Sequence, residues 1–141
     1  MSSGSATPYL IVVHGIDVVD VQDYARLLNP IMKPHLKMKF TEQELEESGD
    51  NERTAERLAG RFATKEAVLK ALGLPFGDGV GFVDVETLNG PTGAPSVVTH
   101  RHVAKRAAEL GVDAWLVSTS HTSTVAVASV IGVRLATPSQ A

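Results

Sequence analysis

The sequence predicts an α+β domain in which an antiparallel sheet packs against one long central helix and shorter helices. Three observations lead there. A segment beginning at Asn51 carries a sustained three- and four-residue apolar repeat, and Val- and Ile-rich segments of strand character lie on both sides of it. Turn signals join the downstream segments as hairpins, not as alternating strand–helix units. With 141 residues the chain has the length of one core, able to bury roughly two thirds of its unfolded surface. That single domain is expected over residues 9–134, between loose tails at 1–8 and 135–141.

Tyr9 to Val19 reads as a strand, because Val and Ile favour a pleated surface, with Gly15 allowing close backbone approach beside Asp17. Asp20 to Leu28 follows as a short helix closed by Asn29-Pro30. Thr41-Glu42-Gln43-Glu44 has the form of a capping box, so an acidic helix starts there and ends at Ser48-Gly49. Asn51 then opens a helix of about 22 residues, along which Ala55, Leu58, Ala59, Phe62, Ala63, Leu69 and Leu72 recur until Gly73 and Pro75 stop it. Gly77 to Gly81 is a loop, Phe82 to Leu88 alternates as a strand, and Asn89-Gly90-Pro91 turns it back into Ser96-Val97-Val98. Thr99 caps a helix running to Leu110, with Gly111 as terminator. Strands at Ala114 to Ser118 and Thr124 to Val133 complete the set.

Composition narrows the function classes. Hydrophobic residues at 43% and charged residues at 21% exclude wholesale disorder, and zero cysteines remove disulfides, thiolate metal sites and a cysteine nucleophile. A formal charge of −3 argues against general nucleic-acid binding, which needs a basic surface to release counterions from phosphate. His14 and Asp17 interrupt the most apolar stretch, so no run has the roughly 18 to 20 residues of a membrane helix. The expectation is a cytoplasmic protein with no nucleic acid and no membrane as partner.

Three features carry chemistry. Asp17 interrupts an apolar strand, and Glu66 stands one helical turn after Phe62, on the same face. Burying a lone carboxylate costs several kcal/mol or more, on the order expected for isolated ions, so each acid needs a partner. One reading pairs Glu66 with Lys70 at i, i+4 and leaves Asp17 as a strand-end cap. The other brings both acids to one hard cation such as Mg²⁺, whose remaining ligands are substrate phosphates and water. Arg53, Arg57, Arg61 and Lys65, spaced four apart, read as a single cationic ladder: a solvated helix face, a docking surface for an acidic protein, or a grip on phosphates. Lys70 and Gly73 share the face of Glu66. Ser118-Thr119-Ser120-His121-Thr122-Ser123 is either a hydroxyl-rich hairpin turn or a set of phosphate donors around a proton-handling histidine. No glycine-rich phosphate loop, serine-hydrolase elbow or histidine zinc pattern is present.

These residues carry a resemblance. Gly15-Ile16-Asp17-Val18-Val19 resembles the N-terminal Gly-Ile-Asp-Ile-Val motif of the holo-acyl-carrier-protein synthases, the small 4′-phosphopantetheinyl transferases. Arg61-Phe62-Ala63-Thr64-Lys65-Glu66-Ala67 resembles their helical Arg-Phe-Ala-Ala-Lys-Glu-Ala motif, and Ser120-His121-Thr122 their C-terminal Ser-His segment. The likeness runs from about Leu10 to Val133 and implies transfer of phosphopantetheine from coenzyme A to a serine of apo acyl carrier protein, in fatty acid biosynthesis. It implies Asp17 and Glu66 as Mg²⁺ ligands, Lys70 on the coenzyme A diphosphate, and Arg61, Lys65, Gly73, Ser120, His121 and Thr122 along the coenzyme A site. Glu66 is the first choice of general base and His121 the second. A homotrimer with active sites between subunits is implied as well. Where relatives carry an arginine shortly after the Asp motif, Val21-Gln22-Asp23 stands here; their Gly-Lys/Arg-Pro turn appears as Gly93-Ala94-Pro95; and His14 takes a usually aliphatic place. A metal-dependent hydrolase of coenzyme A or nucleotide diphosphates, and a noncatalytic carrier-binding module, are the competing classes.

Overall fold

The strand read from Tyr9 runs to Asp20 as β1 (Tyr9–Asp20), in a computed structural model that describes residues 8–136. It is followed by α1 (Val21–Arg26), α2 (Glu42–Ser48), α3 (Thr54–Leu72), β2 (Val85–Asn89), β3 (Pro95–Thr99), α4 (Arg101–Leu110), β4 (Ala114–His121) and β5 (Val125–Leu135). Strands β1, β5 and β4 form one antiparallel sheet with β5 central, and β2 and β3 form a separate hairpin. The fold is thus the expected mixture of antiparallel sheet and one dominant helix. Apart from Pro8, Leu135 and Ala136, the tails read at 1–8 and 135–141 lie outside the described residues. Leu135 is the last residue of β5, and the Ala136 amide donates to the Pro8 carbonyl.

Helix α3 lies across one face of the three-stranded sheet. Its contact with β1 is close because Gly15 has no side chain: a Cβ there would stand 2.1 Å from the Ala67 carbonyl oxygen. In the register, Gly15 is opposite Val130, Asp17 opposite Ala128 and Val19 opposite Ala126, and those three β5 residues are buried beneath the helix. The alternate residues Ile16, Val18 and Leu116 point to the other face, where they are 54, 60 and 47% exposed. A second core region joins Tyr24, Leu36, Phe40, Leu58 and Phe62 beneath α1 and α2.

Several elements differ from expectation. Helix α3 has 19 residues and begins at Thr54; Asn51 braces the approach instead, its Oδ1 accepting from the Arg53 amide. A 3-10 helix at Lys33–Met38 was not expected, and Phe82–Asp84 forms another 3-10 turn, so the strand begins at Val85. The Asp84 carboxylate makes that turn, accepting from the Gly81 amide and pairing with Arg101. His100, not Thr99, is the N-cap of α4, which starts at Arg101. Ser118 to His121 is extended as the end of β4 and not part of the turn, because Ser120 and His121 pair with Val127 and Ala126. Thr122 shapes the turn itself, its hydroxyl accepting from the amides of Thr124 and Val125.

The cationic ladder is not one face. Helical residues advance about 100° each, so three steps of four rotate progressively, and Lys65 stands roughly 120° around the helix from Arg53. Arg53 and Arg57 are exposed, Arg61 is half-buried, and Lys65 has no exposed surface. Lys65 occupies the apolar stripe between Leu58 and Phe62 on one side and Leu69 and Leu72 on the other.

Candidate active site

Asp17 and Lys70 meet where β1 crosses the C-terminal part of α3. The Lys70 ammonium donates to the Asp17 carboxylate at 2.6 Å and to the Ile16 carbonyl at 3.4 Å. The i, i+4 pairing of Lys70 with Glu66 is therefore not the one formed: Lys70 pairs with Asp17. That hydrogen bond holds the Lys70 pKa above its ordinary value, with further support from Asp17 and Glu66 charge. Glu66 is half-buried on the same helix face. Its pKa is raised by burial and then by the Asp17 carboxylate, against the opposing pull of Lys70 and Lys39. Glu66 and Asp17 also help burial push the Tyr24 hydroxyl upward. Two carboxylates whose charges repel, one of them bound by the Lys70 ammonium, form the first cluster.

A second cluster lines an open cavity of about 430 Å³ on the far side of α3. Arg57, Arg61 and Thr64 contribute from the helix, and Ser120 and His121 from the end of β4. Gly93 and Pro95, from the turn that departs from the family pattern, lie on its wall. Arg61 is fixed by three acceptors: the Thr87 carbonyl, Glu47 at 3.2 Å and Asn89 at 3.3 Å. His121 Nδ1 stands 3.6 Å from a Glu56 oxygen. Glu66 is roughly 140° around α3 from Arg61, so the residues expected along one site divide between two faces of one helix. Gly73 ends that helix in the left-handed region at φ 69°, with open space around its Cα; its conformation explains the glycine.

Between the clusters Lys65 is locked inside. Its ammonium donates to Glu44 at 2.7 Å and to the carbonyls of Phe82 and Val85, and Glu44 is equally buried. Burial pulls the Lys65 pKa down and Glu44 opposes it. The other Glu44 oxygen accepts from the Thr87 amide and hydroxyl, and the Thr87 carbonyl is the one held by Arg61. Lys65 therefore braces a wall of the cavity from behind without reaching it.

A match to the 4′-phosphopantetheinyl transferase superfamily extends over residues 14–128, spanning both clusters. The chain belongs to that family. It is 41% identical over 127 residues to the holo-[acyl-carrier-protein] synthase of Salinispora arenicola, covering 89% of this chain and all of the relative. Its identity to the enzyme of the same name from Streptomyces coelicolor is 42% over 119 residues, covering 83% and 93%. In structure it is similar to a holo-(acyl-carrier-protein) synthase from Bacillus anthracis in complex with coenzyme A (3′,5′-ADP), with a TM-score of 0.70, 29% identity, and coverage of 88% and 97%. By family the chain is a phosphopantetheinyl transferase, and the resemblance read from its three motifs holds along most of its length.

Lys39 and Glu44 belong to the surroundings of the two clusters, and reading the motifs alone passes over both. Glu44 had a signal in the capping box, which explains one of its oxygens but not the buried lysine on it. Lys39 had none, since its neighbours Tyr24, Phe62 and Phe82 are distant in sequence. Among the described residues no helix is long and apolar enough to cross a membrane, and no three His, Asp or Glu side chains gather as a metal cage.

Proposed function

We propose that the chain transfers 4′-phosphopantetheine from coenzyme A to a serine of apo acyl carrier protein, with Mg²⁺, as a cytoplasmic enzyme supplying holo carrier for fatty acid biosynthesis. The observation that carries this is the convergence of Asp17, Glu66 and Lys70 at one place in a chain of this family. Two repelling carboxylates with hard oxygen donors fit a divalent cation, and a two-acid set leaves ligand positions for phosphate and water. Mg²⁺, when bound, would neutralise diphosphate charge as the bond to the nucleotide breaks. Lys70, released from Asp17, is in reach to steady the same diphosphate. Glu66 has a raised pKa, which suits it to take the proton of the carrier serine. The serine oxygen then bonds to the pantetheine-side phosphorus, the phosphorus–oxygen bond to the nucleotide breaks, and adenosine 3′,5′-bisphosphate leaves.

The second cluster supplies the nucleotide's grip. Arg61, Ser120 and His121 offer a guanidinium, a hydroxyl and an imidazole to phosphate in a cavity wide enough for a nucleoside. Lys65 acts in this scheme by bracing Arg61 through Glu44 and Thr87, and Gly73 by ending the helix beside Lys70. Thr122, committed to its turn, holds His121 in place. Because the clusters face opposite sides of α3, one coenzyme A is served by the first cluster of one subunit and the second of its neighbour. A head-to-tail contact that closes makes a ring, and a homotrimer is the ring proposed. The exposed Ile16, Val18 and Leu116 on the open sheet face are apolar surface for such a contact.

Intact-mass measurement of apo carrier with coenzyme A and Mg²⁺ tests the reading. The unaltered chain should add one phosphopantetheine, and Asp17→Asn and Glu66→Gln should lower the rate at least about a hundredfold. Full activity in both variants sinks the two-acid site, and bisphosphate release without carrier makes the enzyme a hydrolase.

A further inference from the structure

The Lys39 ammonium lies 4.4 Å from the centre of the Phe62 ring, 5.6 Å from Phe82 and 5.9 Å from Tyr24. Phe62 itself packs on Tyr24 at 5.4 Å and on Phe82 at 4.7 Å, so the three rings make one continuous surface beneath the cation. The residue is half-buried and forms no ion pair among the described residues. It lines an open cavity of about 540 Å³ together with Asp20 and Asp23, of which Asp23 is paired with Arg26. Rings hold a cation in place while leaving its three donor hydrogens without an acceptor.

That cavity borders the first cluster. Val18 and Val19, which directly follow Asp17, line it, and Phe62 stands one helical turn before Glu66. The two lysines beside the acids differ in availability: Lys70 is bound to Asp17, whereas Lys39, lining the cavity next to Val18 and Val19, pairs with no carboxylate among the described residues. We propose that Lys39 is a further substrate-binding residue of the transfer reaction, its ammonium donating to an oxygen of the pantetheine-side phosphate while Tyr24, Phe62 and Phe82 hold it in position. The assignment rests on the coenzyme A reading above. A lysine suits the place, because a compact charge on a flexible stem can follow the phosphate as it passes from nucleotide to serine.

Adenosine 3′,5′-bisphosphate lacks the pantetheine-side phosphate, so calorimetric titration of the full chain with this nucleotide and with coenzyme A, in Mg²⁺ and without carrier, isolates the contact. Lys39→Met keeps an apolar stem on the rings and removes the charge. It should weaken coenzyme A about five- to tenfold and leave the bisphosphate within about twofold, and Lys39→Arg should restore most of the loss. Unchanged coenzyme A affinity, or equal weakening of both ligands, overturns the assignment. So does a Lys39→Met enzyme that binds coenzyme A normally and raises only the Michaelis constant for carrier, since the lysine would then serve docking. If the unaltered chain binds no coenzyme A, the functional reading falls and this assignment with it. If Lys39→Met binds normally while Glu66→Gln abolishes transfer, this assignment alone falls.

Discussion

Gly15 decides how near Asp17 comes to α3. A methyl group there would overlap the Ala67 carbonyl at 2.1 Å and stand 3.1 Å from the Ala71 Cβ, and backbone cannot give way as a side-chain tip can. Gly15→Ala should therefore destabilise the fold by about 2 to 3 kcal/mol, as overpacking does, and, under the proposed two-acid site, lower activity beyond its effect on folding by displacing Asp17 relative to Glu66. Urea titration and turnover measured together test this: a variant as stable and as active as the unaltered chain refutes the spacing argument. Lys65 makes a second case. Its pair with Glu44 is fully buried, and removing the lysine leaves a carboxylate without its cation, a change that costs about 3 to 5 kcal/mol in comparable settings. Lys65→Met should show that loss, and pairing it with Glu44→Gln should recover part of it.

At the scale of elements, α2 is tied to the β2–β3 hairpin by carboxylates. The Glu47 oxygen accepts from the Asn89 amide and from Arg61, and Glu86 accepts from the Thr41 hydroxyl at 2.7 Å and pairs with His100. Burial alone would raise both acids; their hydrogen bonds and cationic neighbours outweigh it and hold both below the ordinary value. A carboxylate whose folded pKa is depressed adds stability above its unfolded pKa of about 4.3 and loses that contribution as pH falls through the folded value. Melting temperature should thus decline below about pH 4.5, and Glu47→Gln with Glu86→Gln should flatten the decline. A slope unchanged by the double variant assigns the acid sensitivity elsewhere.

The same elements explain what could be read in advance. The capping box of α2 and the apolar stripe of α3 depend on neighbours three and four residues away, so local spacing reveals them. The 3-10 helix at Lys33–Met38 and the turn at Phe82–Asp84 depend on what packs over them, and alternation of side-chain types missed both. The extended course of Ser118 to His121 is imposed by β5, a partner in space. The acids Asp17 and Glu66 stand out in the sequence, Asp17 by interrupting an apolar strand and Glu66 by sharing the helix face of Phe62. The burial of Lys65 was also available, at the centre of the Leu58, Phe62, Leu69 and Leu72 stripe, but the fourfold ladder drew it to the surface. The division of the expected coenzyme A residues between two helix faces follows from turning about 100° per residue, a consequence that a string of motifs does not display.

At the scale of the molecule, that division is what motivates the proposed assembly. If each site joins the Asp17–Glu66 cluster of one subunit to the Arg61–His121 cluster of the next, two disabled variants can repair one another. Asp17→Asn damages the first half-site and His121→Ala the second, and each variant alone should run well below the unaltered rate at low coenzyme A. In rings formed from equal amounts of the two, a productive interface takes its first cluster from a His121→Ala subunit and its second from an Asp17→Asn subunit. Random mixing places that combination at about one interface in four, so activity should return to roughly a quarter of the unaltered level after dissociation and reassembly. A chain that holds both clusters of one site within itself would gain nothing from mixing. Recovery that fails although mass measurement shows mixed rings would therefore place the coenzyme A site within one subunit and overturn the reading of α3 as a helix shared by two sites.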